Sequence, residues 1–220
     1  MAMHAHVPIK TESVDTRHHA IMAWLSPSFP TGAFAYSHGL EYAISTGCVT
    51  DRATLVDWLR TILVRGSLWN DAVLFVLAHR GDDVTELAEA LAGSYERHIE
   101  TLSQGKAFAR TVNALTGMDI KETALPVATA QASRTIDAEA HYVLPLYLHA
   151  QITNLISVAV RLVPLGQTDG QMALQSLFTD IEQVSCKALQ SQSHDLGSSA
   201  LMSDIAAMCH EDMPTRIFKT

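Results

Sequence analysis

Apolar residues recur at helical spacing along nearly the whole chain. Ile21, Met22, Trp24 and Leu25 suggest a short first helix that Ser26-Pro27 stops. Tyr36, Leu40, Ala43 and Ile44 stand at i, i+4, i+7 and i+8 and predict a helix from Tyr36 to Gly47. Thr50 or Asp51 can cap the next, which runs to about Arg65 and buries Leu55, Val56, Leu59, Ile62 and Leu63. A further helix spans Leu68 to His79. From Val84 to Leu115, Leu87, Leu91, Tyr95, Ile99, Leu102, Phe108, Val112 and Leu115 fall at three- and four-residue steps. Glu86, Glu89, Glu96, Arg97, Glu100 and Lys106 are the expected solvated face there, and Gly93 and Gly105 leave room for two helices. Pro126 to Arg134 reads as a short helix. Ala138 to Val163 is apolar on most sides and is expected at the centre of a bundle. Thr168 or Asp169 caps a helix carrying Met172, Leu174, Leu177, Ile181, Val184 and Leu189, and Leu201 to Met208 forms a last turn. No stretch alternates like a strand. The pattern predicts an all-α, single-domain bundle of roughly eight to ten helices over residues 18–208. A disordered tail, 1–17, precedes it, and a polar tail, 209–220, is expected to order on a partner.

Composition fits a well-filled core: 48% of the 220 residues are hydrophobic and 17% charged. The formal net charge of −8, with no lysine- or arginine-rich run, argues against nucleic-acid binding. Cys48, Cys186 and Cys209 are far apart and odd in number, which suits a reducing cytoplasm better than a disulfide framework. No signal peptide is visible. The most apolar stretch, Tyr142 to Leu165, carries His149, Gln151, Asn154 and Arg161, and so reads as a core helix, not a membrane span.

Three polar features need partners. The loop from Ser26 contains Pro27, Phe29, Pro30 and Phe34, and the helix after it carries Ser37, Glu41 and Ser45 on one side with His38 at the flank. This is either a loop pinned by its phenylalanines beside a solvated face, or a presented surface. His149, Thr153, Ser157 and Arg161 lie four apart in one line on the central helix, with Asn154 beside them. They are either satisfied locally or border a wet channel or partner surface. Cys209-His210-Glu211 puts ligand chemistry in a row, and His4, His6, His18 and His19 lie near the start, but neither group has the spacing of a metal site. No phosphate-binding loop, H-E-x-x-H or G-x-S-x-G occurs, so no catalytic residue is assigned.

The stretch Ser26–Glu41, SPSFPTGAFAYSHGLE, resembles the N-terminal signature of the urease accessory protein family UreF. Ser103-Gln104-Gly105-Lys106-Ala107-Phe108 is similar to that family's Q-G-R-A-F element, with lysine for arginine. Ser157 to Gln167 resembles its S-x-x-V-R-L-x-P-L-G-Q element. Met208 to Glu211 with Arg216 to Thr220 is similar to its M-x-H-E-x-x-x-x-R-L-F-R-S ending, departing at Met213-Pro214 and Lys219-Thr220.

The resemblance implies a dimeric helical adaptor without catalysis of its own. Such a protein binds a second accessory protein (UreD, also called UreH) and the GTPase UreG, and acts in nickel delivery to apo-urease. It implies no stably bound cofactor: nickel is handled by the complex. Ser37, His38, Glu41, Arg161, Gln167, His210, Glu211, Arg216 and Phe218 are the partner-binding candidates. The alternative is a nickel carrier using its own histidines and Cys209. A third role would have Arg161 reach the nucleotide of the GTPase.

Overall fold

The computed structural model describes residues 16–220. The expected N-terminal tail, with His4 and His6, lies outside the described residues, save that the first helix already begins at Thr16. The described residues form eleven α-helices and two short 3-10 turns, with no strand among them. They are α1 (Thr16–Trp24), α2 (Leu40–Ser45), α3 (Arg52–Arg65), α4 (Ser67–Arg80), α5 (Thr85–Ala90), α6 (Tyr95–Thr116), α7 (Leu125–Thr135), α8 (Ala140–Leu162), α9 (Gln167–Ser176), α10 (Phe178–Ala188) and α11 (Leu201–His210). The 3-10 turns cover Ala33–Ala35 and Ser193–Asp195.

The all-α bundle is as its periodicity predicts. α4 is buried on nearly every side and packs on α3, α7, α8 and α10. α8 is the second core helix, and α6 lies along α7. Asp51 caps α3 with a reciprocal box: its carboxylate accepts from the Thr54 amide at 2.9 Å, and the Thr54 hydroxyl accepts from the Asp51 amide at 3.1 Å. Two stretches, Arg52–Arg80 and α8, are long and apolar enough to cross a membrane. Their most apolar windows are 72% and 50% buried inside the fold, as expected of core helices.

Three local expectations are corrected. The helix expected from Tyr36 begins only at Leu40, because His38 and Gly39 both take left-handed backbone (φ 59° and 75°). The single helix expected after Asp169 breaks at Leu177, between α9 and α10, and Met172 lies on the surface against Arg52. The third correction matters most. Glu96 and Glu100, expected in solvent, are buried, and Arg97 is nearly so, while Tyr95 and Ile99 are exposed. The first half of α6 therefore turns its charges inward. Glu86, Glu89 and Lys106 remain outside as expected.

Candidate functional site

The inward charges of α6 meet two other segments. One is the turn before α2. Ser37 ends an extended stretch, and its hydroxyl accepts from the Glu41 amide at 3.3 Å, holding the first turn of α2. Gly39 is required there: a Cβ would lie 2.7 Å from the Ala207 amide nitrogen of α11. This close approach of α2 and α11 turns Ser37, His38 and Glu41 into the interior, all 6% exposed or less. They form neither the solvated face nor the presented surface that the sequence left open.

The other segment is the chain end. His210, the last residue of α11, is fully buried between two carboxylates. Its Nδ1 lies 2.7 Å from Glu96 Oε2 and its Nε2 3.0 Å from Glu41 Oε2. Arg216 donates to the other oxygen of Glu96 at 2.7 Å. Glu41 also accepts the amides of Ile217 (2.8 Å) and Phe218 (2.9 Å). The Lys219 amide donates to Ala35 O, the Ser37 amide to Thr220 O, and the Thr220 hydroxyl to Glu100 Oε2. Glu211 lies at the start of α6, where its carboxylate accepts from the amides of Tyr95 and Glu96. Residues 209–220, expected to order on a partner, are packed here against the chain's own body.

A second ionic layer continues inward. Arg97 donates to Glu100 at 2.7 Å, and His38 faces Glu100 from the other side at 3.7 Å. Tyr147 on α8 donates to Asp71 on α4. Burial pushes the Asp71 carboxyl up, against the pull of Arg97 and His38. Burial also pushes Glu100 up, but Arg97 and then His38 outweigh it and hold the carboxyl at about 2. For Glu41, burial is outweighed by His210 and by the two backbone amides, so its carboxyl lies below the ordinary 4.5. The sign for stability follows. A carboxyl depressed in the folded state stabilises fully above its unfolded value of 4.5 and loses that contribution as pH falls through about 2. Glu100→Gln is expected to lower the melting temperature at pH 7 and to flatten its decline between about pH 4.5 and 2. Parallel thermal melts across that range check this.

Arg161 joins the loop to the tail. Its guanidinium stacks over Phe218 at 4.6 Å and over Phe34 at 5.7 Å, and its Nε donates to Ser157 O. Thr153 and Ser157 return their hydroxyls to carbonyls of their own helix, and Asn154 donates to Ala33 O. Thr153, Ser157 and Arg161 of the polar line on α8 are thus satisfied within their own helix, while the His149 ring packs near Phe178. Thr153, Asn154 and Ser157 also border a cavity of about 250 Å³ beneath the proline loop. No residue lining that cavity is charged, a histidine or a cysteine. Arg161→Ala is expected to loosen the tail by about 1 kcal/mol. The readout is a roughly fivefold faster tryptic cut after Arg216 in the native protein.

Among the described residues, no group of three or more histidine, cysteine or acidic side chains is arranged to hold a metal ion. Cys209-His210-Glu211 does not converge on one point: His210 has both nitrogens on carboxylates, Cys209 meets Tyr42, and Glu211 meets α6. Of the residues singled out from sequence, Ser37, His38, Glu41, Arg161, His210, Glu211, Arg216 and Phe218 come together around the tail. Gln167 does not join them: it is exposed at the start of α9 and borders the cavity beneath the proline loop, beside Asn154 and Ser157. Glu96, Arg97, Glu100 and Asp71 were missed. A signal existed: Glu96, Glu100, Gln104, Phe108 and Val112 are each four apart, so the polar line runs into the apolar one on a single face of α6.

Beside this cluster, the outer face of α11 is apolar and open. Leu201, Met202, Ile205 and Met208 are exposed, with Ile217 and Tyr95 also exposed on the tail and on α6. A buried ionic lock that positions a chain end beside an apolar helix face defines an all-helical protein whose built features suit contact with other proteins. Residues 49–178 match the family model described as UreF. A urease accessory protein UreF from Cereibacter sphaeroides (strain KD131) is 50% identical over 204 residues, covering 91% of this chain and 97% of the relative. Proteins of the same name from Dinoroseobacter shibae and Rhizobium etli are 47% and 40% identical, covering 90% and 91% of this chain and 95% of each relative. The chain belongs to the UreF family of urease accessory proteins.

Proposed function

We propose that this protein is a non-catalytic adaptor in the cytoplasmic complex that delivers nickel to apo-urease. It bridges a UreD/UreH-type accessory protein and the GTPase UreG. The observation that carries this reading is the outer face of α11. Four large apolar side chains, Leu201, Met202, Ile205 and Met208, stand in water next to a tail held in place by Glu41 and Glu96. Exposed apolar area of this kind costs solubility unless a partner covers it. We assign it to the UreD/UreH-type protein.

A second apolar cleft, about 490 Å³, runs between α8 and α10 and is lined by Tyr142, Pro145, Leu146, His149, Phe178 and Ile181 among others. It lies away from α11, and we assign it to a second copy of this chain. Arg161 is held between two phenylalanines that belong to the loop and the tail. Its role in this reading is to shape the surface offered to the GTPase, and unchanged GTP hydrolysis with Arg161→Ala would rule out direct action on nucleotide. Nickel belongs to the assembly in this reading, and the chain alone is expected to retain none in equilibrium dialysis at micromolar nickel.

The test is co-expression with the candidate UreD- and UreG-type proteins, followed by measurement of the mass of the purified assembly. A defined complex containing two copies of this chain supports the adaptor role. Recovery of this chain alone, with nickel bound, would replace it with a carrier.

A further inference from the structure

His210 sits where its protonation state and the position of the chain end are one question. A neutral imidazole has one N–H and one lone pair. Both of its ring nitrogens lie within 3.0 Å of carboxylate oxygens, and the ring is fully buried. With a neutral ring, one carboxylate would face a lone pair with no water between them. Only the imidazolium donates at both ends. The charges then balance as well: Glu41 and Glu96 against His210 and Arg216.

The same two carboxylates hold residues 216–218. Glu41 accepts the amides of Ile217 and Phe218, and Glu96 accepts Arg216. The groups that face this site come from every element packed on it. Glu41 comes from α2, Glu96 from α6 and Arg216 from the tail. His38, Arg97 and Glu100 form the next layer, linked through the Thr220 hydroxyl. Cys209 and Glu211, the neighbours of His210 in sequence, turn to Tyr42 and to the start of α6.

We propose that His210 is a proton-operated latch for residues 211–220: the docked tail requires the imidazolium, and loss of the proton releases it. With the tail lifted, water reaches the ring and the carboxylates, and an exposed histidine is mostly neutral above about pH 6.5. Docking above that pH therefore takes up a proton. Its sign is fixed by linkage: the state that binds more protons is favoured as pH falls, so the tail loosens as pH rises. This inference stands whether or not the chain is an adaptor, because it concerns the isolated protein.

The test uses the full chain with ¹⁵N-labelled histidine. At pH 7.5, both His210 nitrogens are expected to give imidazolium shifts. The amide protection factors of Ile217 and Phe218, corrected for intrinsic exchange, are expected to fall at least tenfold between pH 6.5 and 8.5 relative to amides of α4. His210→Gln should lower that protection and abolish its pH slope. Arg216→Gln, which leaves the ring and both carboxylates in place, should lower protection and keep the slope. A neutral His210 ring at pH 7.5, a tail-to-α4 ratio constant across the range, or a slope lost with Arg216→Gln overturns the latch. The wild-type measurements decide the matter even if His210→Gln fails to fold.

Discussion

Glu41→Ala should free the last ten residues from the body while leaving the bundle folded. Glu41 accepts three hydrogen bonds in the interior, from His210, Ile217 and Phe218. Removing it leaves the buried amide of Phe218 without an acceptor, at about 1–3 kcal/mol, and the partly buried amide of Ile217 at less. It also leaves a buried ring facing one carboxylate where there were two, and breaking a buried charge pair costs about 3–5 kcal/mol. A ten-residue tail anchored mainly by Phe218, Arg216 and these contacts cannot hold against that sum. The cheaper response is local: the tail lifts and water enters. Tryptic cleavage after Arg216 and Lys219 should therefore become rapid in native buffer, with the main thermal transition lowered by only a few degrees. A tail as resistant to trypsin as the wild type would show that the carboxylate is not what holds it.

Gly105→Ala should produce the largest loss of global stability. Gly105 lies inside α6, where alanine would gain about 1 kcal/mol of helix propensity over glycine. Against that, an added Cβ would stand 1.9 Å from the Thr123 carbonyl oxygen and 2.7 Å from the Leu125 amide nitrogen. Both are backbone atoms and cannot swing aside. α6 would have to separate from the start of α7, the helix along which it packs. Overpacking of this kind costs about 3 kcal/mol or more, so the loss outweighs the gain. Chemical denaturation should show a midpoint lowered by about 1 M urea or more. An unchanged midpoint would mean that the two segments are not in tight contact.

These two sites show what the sequence makes legible and what it does not. The core helices were readable because burial imposes a period: Leu68–His79, Pro126–Arg134 and Ala138–Val163 were expected, and α4, α7 and α8 lie within two residues of those bounds. The Asp51 cap was readable because its bonds are local. The ionic cluster was not. Glu96 and Glu100 read as solvated because a lone carboxylate normally is, and their partners His210 and Thr220 lie more than a hundred residues away. The reversal at His38-Gly39 was hidden for a similar reason. The periodic Tyr36, Leu40 and Ala43 continue smoothly through it, and only the approach of α11 to Gly39 explains the turn. The family was legible from four ordered motifs. Two of them, Ser26–Glu41 and Met208–Thr220, supply the loop and the tail that the structure brings together.

The outer face of α11 is the proposed docking surface, and one measurement addresses it directly. Met202→Asp with Ile205→Asp places two charges on that face without touching His210, Glu41 or Glu96. The doubly substituted chain and the wild type are each co-expressed with the UreD/UreH-type protein, and the mass of the purified species is measured. A stable complex is expected with the wild type and none with the variant, whose helical content and melting temperature stay close to those of the wild type. A complex of equal mass and yield from the variant would contradict it.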